Sequence, residues 1–156
     1  MIDAGYRMPR RTDRRRALGV LGAGCCLLVL RPALATPAEL EVALRERFGA
    51  VPIRPGRVDL KMPLLAESGN VVPVTVRVES PMTADDHVTR IHLFAEKNQL
   101  PDVLEFQLGP HNGKAEVASR VRLATSQQML AVAVMSDGSL WSGAVEVEVT
   151  VSGCGW

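Results

Sequence analysis

Val72-Pro73-Val74-Thr75-Val76-Arg77-Val78-Glu79 decides how this chain folds. Valine takes every second position and alternates with Pro73, Thr75, Arg77 and Glu79. Successive side chains of a strand point to opposite sides. A period of two over eight residues therefore describes a strand with one face on a core and the other in water. Pro73 has no amide donor, so this strand is expected to begin at a sheet edge or to lie on one.

The same pattern extends in both directions. Val58, Leu60 and Met62 alternate with Asp59 and Lys61. Ile91, Leu93 and Ala95 alternate with Arg90, His92 and Phe94, and Val103 to Leu108 is a shorter candidate. Gly109 to Gly113 is a turn cluster. Val117, Ser119, Val121 and Leu123 alternate with Glu116, Arg120 and Arg122. Met129 to Met135 is apolar throughout, as a central strand requires. Ser136-Asp137-Gly138-Ser139 is a hairpin turn. Val145, Val147, Val149 and Val151 form the last strand. About seven short strands with little helix between them predict an all-β fold, an immunoglobulin-like antiparallel β-sandwich. The cysteine pair and buried tryptophan of antibody domains are missing, so the kinship is architectural.

One helix precedes the strands. Thr36-Pro37-Ala38-Glu39 reads as a capping box with proline at the first helical position. Leu40, Leu44 and Phe48 then fall on one stripe, and Gly49 and Pro52 end the helix. Residues 36–151 are thus expected to form the sandwich with a short N-terminal helix.

Residues 1–35 read as an export signal. Arg14-Arg15-Arg16 leads into an apolar stretch from Ala17 to Leu30, and Ala33-Leu34-Ala35 is a small-x-small cleavage site. The paired arginines resemble a twin-arginine signal. The stretch is shorter than the ~20 residues that span a bilayer, and Arg31-Pro32 interrupts it. Lipidation would need an aliphatic residue where Gly22 stands before Cys25. The expected location is the periplasm, with no membrane anchor in the mature form. Residues 36–156 hold 11 Lys+Arg and 15 Asp+Glu, a net charge of −4. An acidic domain is a poor partner for nucleic acid.

Several residue groups invite chemistry and lack support. His87, His92 and His111 show no ligand spacing, and His92 is expected to face solvent. A copper site would need a cysteine, two histidines and a methionine converging on one point. Asp85 and Asp86 read as part of a strand-connecting turn with Asx-type hydrogen bonds. No catalytic set, no metal site and no resident cofactor is expected.

Cys154 is the exception. It stands in Ser152-Gly153-Cys154-Gly155-Trp156, directly after the last strand, and is the only cysteine outside the leader. Flanking glycines leave the sulfur open and the backbone free. Residues 152–156 are expected to form a flexible arm. An unperturbed thiol ionises near pH ~8.5, and nothing in the tail lowers that value. The thiol is therefore better suited to be handled by another protein's active site than to act as a nucleophile itself. A lone exported thiol may alternatively form a disulfide to a partner.

Together these residues resemble the SoxY thiosulfate-oxidation carrier family. The resemblance rests on the export signal, the sandwich and the terminal Gly153-Cys154-Gly155. It also rests on Val72 to Val76, Glu79 to Asp86, Ile91 to Asn98 and Met135 to Ser139. It implies covalent sulfur adducts on Cys154 and a second β-sandwich subunit of SoxZ type. It further implies a c-type cytochrome that couples thiosulfate to the thiol and a hydrolase that releases sulfate. The family tail reads Gly-Gly-Cys-Gly-Gly. Ser152 and Trp156 replace its outer glycines here, which implies a partner entrance that is wide or lined with aromatic side chains.

Overall fold

The computed structural model describes residues 37–151. The export signal, Thr36 of the capping box and residues 152–156 lie outside the described residues.

Helix α1 (Pro37–Phe48) comes first. Nine strands follow: β1 (Ile53–Pro55), β2 (Val58–Lys61), β3 (Leu65–Ser68), β4 (Val72–Val78), β5 (Val88–Ala95), β6 (Asp102–Gln107), β7 (Glu116–Val121), β8 (Gln127–Met135) and β9 (Leu140–Val151). The larger sheet has the order β1-β9-β8-β5-β6, with β3 also on β9; the smaller sheet has the order β2-β4-β7. Most neighbours are antiparallel, as the alternating patterns require. Two short strands that periodicity does not reveal, β1 and β3, run parallel to β9.

The valines of β4 all face inward and are buried. Opposite them stand Ile91, Leu93 and Ala95 of β5 and Met129, Ala131 and Ala133 of β8. Strand β4 proves central in its sheet, which corrects the placing of Pro73 on an edge strand. The missing donor is tolerated for a local reason. The Val78 amide donates to Ala115 on the β7 side (2.8 Å). By antiparallel alternation, position 73 then faces the β2 side. Strand β2 reaches only to the Lys61–Thr75 pair, so no ladder bond is lost there.

The second correction concerns His92. It is only 1% exposed. Residues Ile91 to Ala95 are buried on both faces of β5, because α1 covers the outer side of the larger sheet. Leu40, Leu44 and Phe48 of the helix pack on Phe94, Val132 and Leu140. Phe48 meets the His92 ring edge-on at 5.1 Å. Arg47 fixes the helix end by bonding Asp102 and Glu105 on β6. Among the described residues, His92 Nδ1 is the buried side-chain polar atom without a hydrogen-bond partner; the nearest carboxylate oxygen, on Glu105, is 3.9 Å away.

The hairpin Ser136–Ser139 forms as expected. Gly138 takes φ +80°, and the Met135 amide donates to the Ser139 carbonyl (3.0 Å). Further along β9, Gly143 lets the two sheets touch. A Cβ there would lie 2.2 Å from the Val58 carbonyl oxygen of β2.

Two outcomes follow. Gly143→Ala forces backbone apart and should destabilise the domain by about 1–3 kcal/mol or more, measured by urea unfolding; unchanged stability would mean the sheets do not meet there. Burial pushes the His92 pKa down, outweighing the pull of Glu105 and Asp102. A folded pKa below the unfolded value means the unfolded chain binds the extra proton. The stability is complete above the unfolded value near ~6.5 and is lost as pH falls below it. Thermal unfolding between pH 7.5 and about 5.5 should therefore show a drop in the native chain that His92→Leu flattens. Equal drops would contradict the neutral buried imidazole.

Candidate functional site

Cys154 and its neighbours Ser152, Gly153, Gly155 and Trp156 lie outside the described residues. What the structure fixes is the root from which they extend. Strand β9 serves two ladders. Its first part, Leu140 to Val147, pairs with β8; its last part, Glu148 to Val151, pairs with β3. The last register pair is Ser68 with Val151, and the Gly69 amide donates to the Val151 carbonyl (2.9 Å). The chain is therefore held until three residues before Cys154. Gly69 is fixed in turn, since its carbonyl accepts from the Leu123 amide (2.8 Å).

A buried polar cluster supports the other side of the root. The Asn98 side chain donates to the Arg122 carbonyl (2.8 Å) and accepts from the Ala124 amide (2.9 Å) and from Gln127 (2.9 Å). Gln127 also accepts from the Lys97 amide (2.7 Å). Asn98 and Gln127 are buried, so every bond replaces one lost to water. The loop they hold presents Ser126, whose hydroxyl accepts the Val149 amide (2.8 Å). Turn, loop and β3 thus converge on the last four residues of β9.

The local field is acidic. Glu146 and Glu148 on β9 and Glu67 on β3 are exposed. Strand alternation puts all three on the outer face. Lys97 donates to the carbonyl of Ser126 (3.1 Å), beside the same strand end, and Arg122 next to Leu123 is exposed.

The other candidates lie elsewhere. His87, Asp85, Asp86 and His111 sit at the opposite end of the sandwich, where β5, β7 and β9 begin and β6 ends. That end is separated from Val151 by roughly 35 Å along β9 at ~3.3 Å per residue. The turn at Ser80–Asp86 is closed by hydroxyls rather than by carboxylates as expected. Ser80 accepts the Met82 amide (3.2 Å) and Thr83 accepts the Asp86 amide (3.1 Å). No group of three His, Cys, Asp or Glu able to hold a metal occurs among the described residues. No helix among them is long and apolar enough to cross a membrane.

Sequence reasoning missed the elements that hold the root. Strand β3 shows only Leu65-Ala66-Glu67-Ser68 before the Gly69-Asn70 turn signal, too short for a period to appear. Asn98, Ser126 and Gln127 carry no local pattern, because the partners that matter are 23 to 30 residues away in sequence.

A β-sandwich whose last strand is held to Val151, three residues before a cysteine in the sequence, defines a class of thiol-bearing β protein. Its relatives specify it further. The family described as "Sulfur oxidation protein SoxY" matches residues 44–154, a stretch that ends on Cys154. The sulfur carrier protein SoxY from Chlorobium limicola f thiosulfatophilum is 33% identical, with 73% of this chain and 98% of that chain covered and a TM-score of 0.62. Two superoxide reductases share the fold alone. The neelaredoxin from Ignicoccus hospitalis is 17% identical, covering 75% of this chain and 95% of that one with a TM-score of 0.54. The superoxide reductase from Nanoarchaeum equitans is 12% identical, covering 62% and 100% with a TM-score of 0.52. No curated protein matches. The chain belongs to the SoxY family of sulfur-oxidation proteins.

Removing the polar cluster should loosen the root before it unfolds the domain. Asn98→Ala leaves up to three buried groups unpaired, at about 1–3 kcal/mol each. Hydrogen exchange at the Val149 and Val151 amides should quicken in Asn98→Ala and in Ser126→Ala. Unchanged exchange at both would mean that β3 alone fixes the strand end.

Proposed function

We propose that this chain is a periplasmic sulfur carrier that holds thiosulfate-derived intermediates on Cys154 while partner enzymes act on them. One observation carries the reading: β9 is paired as far as Val151, and Cys154 follows three residues later. Three extended residues reach ~10 Å. The thiol is thus held close to a rigid edge yet is able to enter a cleft in another protein.

The chemistry balances around that sulfur. Oxidative coupling joins the Cys154 thiol to the outer sulfur of thiosulfate, releasing one proton and two electrons to a c-type cytochrome. Hydrolysis of the resulting thiosulfonate by a sulfate-releasing hydrolase consumes one water. It leaves a deprotonated persulfide on Cys154 and liberates sulfate with two protons. The chain supplies the attachment point, and its partners supply the redox centre and the hydrolytic groups. It needs no cofactor of its own and acts as a carrier rather than a catalyst. A SoxZ-like β-sandwich subunit completes the carrier.

The physical terms agree with shuttling. Ordering five arm residues in a cleft costs ~1–2 kcal/mol each, on the order of 5–10 kcal/mol together. Docking is therefore brief, and the covalent S–S bond keeps the cargo between visits. Export with cleavage after Ala35 places the thiol where disulfides and persulfides persist.

Intact-mass analysis of native protein purified without reductant tests this reading. The expected spectrum shows a chain beginning at Thr36 with thiosulfonate and persulfide increments. Reductant removes them, and Cys154→Ser lacks them. A bare thiol throughout, or only a disulfide-linked dimer, would overturn the carrier role.

A further inference from the structure

We infer that the outer edge of β7 pairs, strand to strand, with the same edge of a second copy of this chain, about Ala118. Strand β7 ends the smaller sheet, and among the described residues no strand pairs with its far side. Its register with β4 runs unbroken from Val72–Val121 to Arg77–Glu116. The Val78 amide bonds Ala115, so by antiparallel alternation Val117, Ser119 and Val121 turn their backbone groups to β4. Glu116, Ala118 and Arg120 turn theirs outward. An edge of this kind is a template for another strand unless something blunts it. The other edges are blunted. Strand β1 has three residues and ends on Pro55, β2 and β3 have four each, and the β5–β6 ladder breaks register at Leu93–Phe94. Strand β7 has six residues, with no proline, glycine or lysine among them.

The occupant is set by charge. A two-fold contact joins one patch to itself, so the edge must be self-complementary. Glu116, Ala118 and Arg120 are exposed and share one face of the strand. Opposite charges directly across a strand pair are favourable, and like charges are not. Centring the pair on Glu116 or on Arg120 sets like charges face to face. Centring it on Val117 or Ser119 leaves one outward residue opposite chain beyond the strand. Centring it on Ala118 sets Glu116 opposite Arg120 of the second copy, twice, with the two small alanines on the axis. About six ladder hydrogen bonds then form. Glu116 already bonds Arg77 (2.8 Å), which stands opposite Asp59. Arg120 lacks a carboxylate partner among the described residues. Pairing gives it one and completes a row of alternating charge: Asp59, Arg77, Glu116, then Arg120 of the second copy. The end of β7 lies by the root, since the Leu123 amide bonds Gly69 and the Gly69 amide bonds Val151. Antiparallel pairing therefore sends the two roots to opposite ends of the joined sheet. The inference does not rest on the carrier reading and involves no bond to Cys154.

Sedimentation of the purified chain over a range of concentrations tests this, in a Cys154→Ser background that removes disulfide-linked dimers. The expected result is a reversible dimer. Arg120→Glu sets a carboxylate opposite Glu116 of the second copy, and Glu116→Arg sets a guanidinium opposite Arg120. Each should weaken association about tenfold or more. Mixing the two variants brings opposite charges together at both positions and should restore a dimer with one chain of each. Ala118→Pro removes an outward amide without touching the β4 ladder, and it should weaken the dimer as well. Both charge positions are exposed, so the fold tolerates those changes whatever the proline does. A monomer at every concentration overturns the inference. So does a dimer indifferent to Arg120→Glu and Glu116→Arg, or a mixture of the two that stays monomeric.

Discussion

Everything functional in this molecule depends on one strand pairing with two partners. Strand β9 is twelve residues long. Its first eight residues are held by β8 and its last four by β3. Pairing with β8 alone would end at Val147, seven positions before Cys154. The addition of β3 moves the last fixed point to Val151. Gly143 matters to the same strand in another way: it brings β2 onto β9, so the two sheets are braced against each other midway to the exit. The result is a support fixed as far as Val151, three positions before Cys154.

The chain is built in three layers, and only one interface is a sandwich core in the usual sense. Between the sheets lies a layer of valine, isoleucine, leucine, alanine and methionine. Outside the larger sheet, α1 makes a smaller second core with Phe48, Phe94 and Val132 at its centre. The second core carries an imidazole edge-on to Phe48 and beside the Glu105–Arg47 pair. That mixture of ring packing and partial charge compensation, with burial holding the His92 pKa down, is where the domain is expected to respond to acid.

The sheets were legible because burial on one face imposes a period of two. Val72 to Val78 and Glu116 to Val121 carry it plainly. Strand β5 misled because it is buried on both sides. Read as an alternating strand, it placed His92 and Phe94 in water. An outward Phe94 and a helix stripe of Leu40, Leu44 and Phe48 without a stated partner were the two clues that they cover each other. The arm at residues 152–156 was read from Cys154 and its glycines by residue type alone, and it lies outside the described residues. The anchorage of β9 was not legible, because Asn98, Ser126 and Gln127 act through partners distant in sequence. Trp156 was legible only as a departure from the glycine-rich family tail.

The central claim is that sulfur under oxidation travels on one side chain of this protein. The most direct measurement is to supply thiosulfate radiolabelled in its outer sulfur to the protein together with its partner enzymes, stop turnover midway, and map the label by peptide. Label confined to the peptide containing Cys154, and chased from it as sulfate appears, is the predicted result. Label on another residue, or turnover with no label on this chain, would contradict the account.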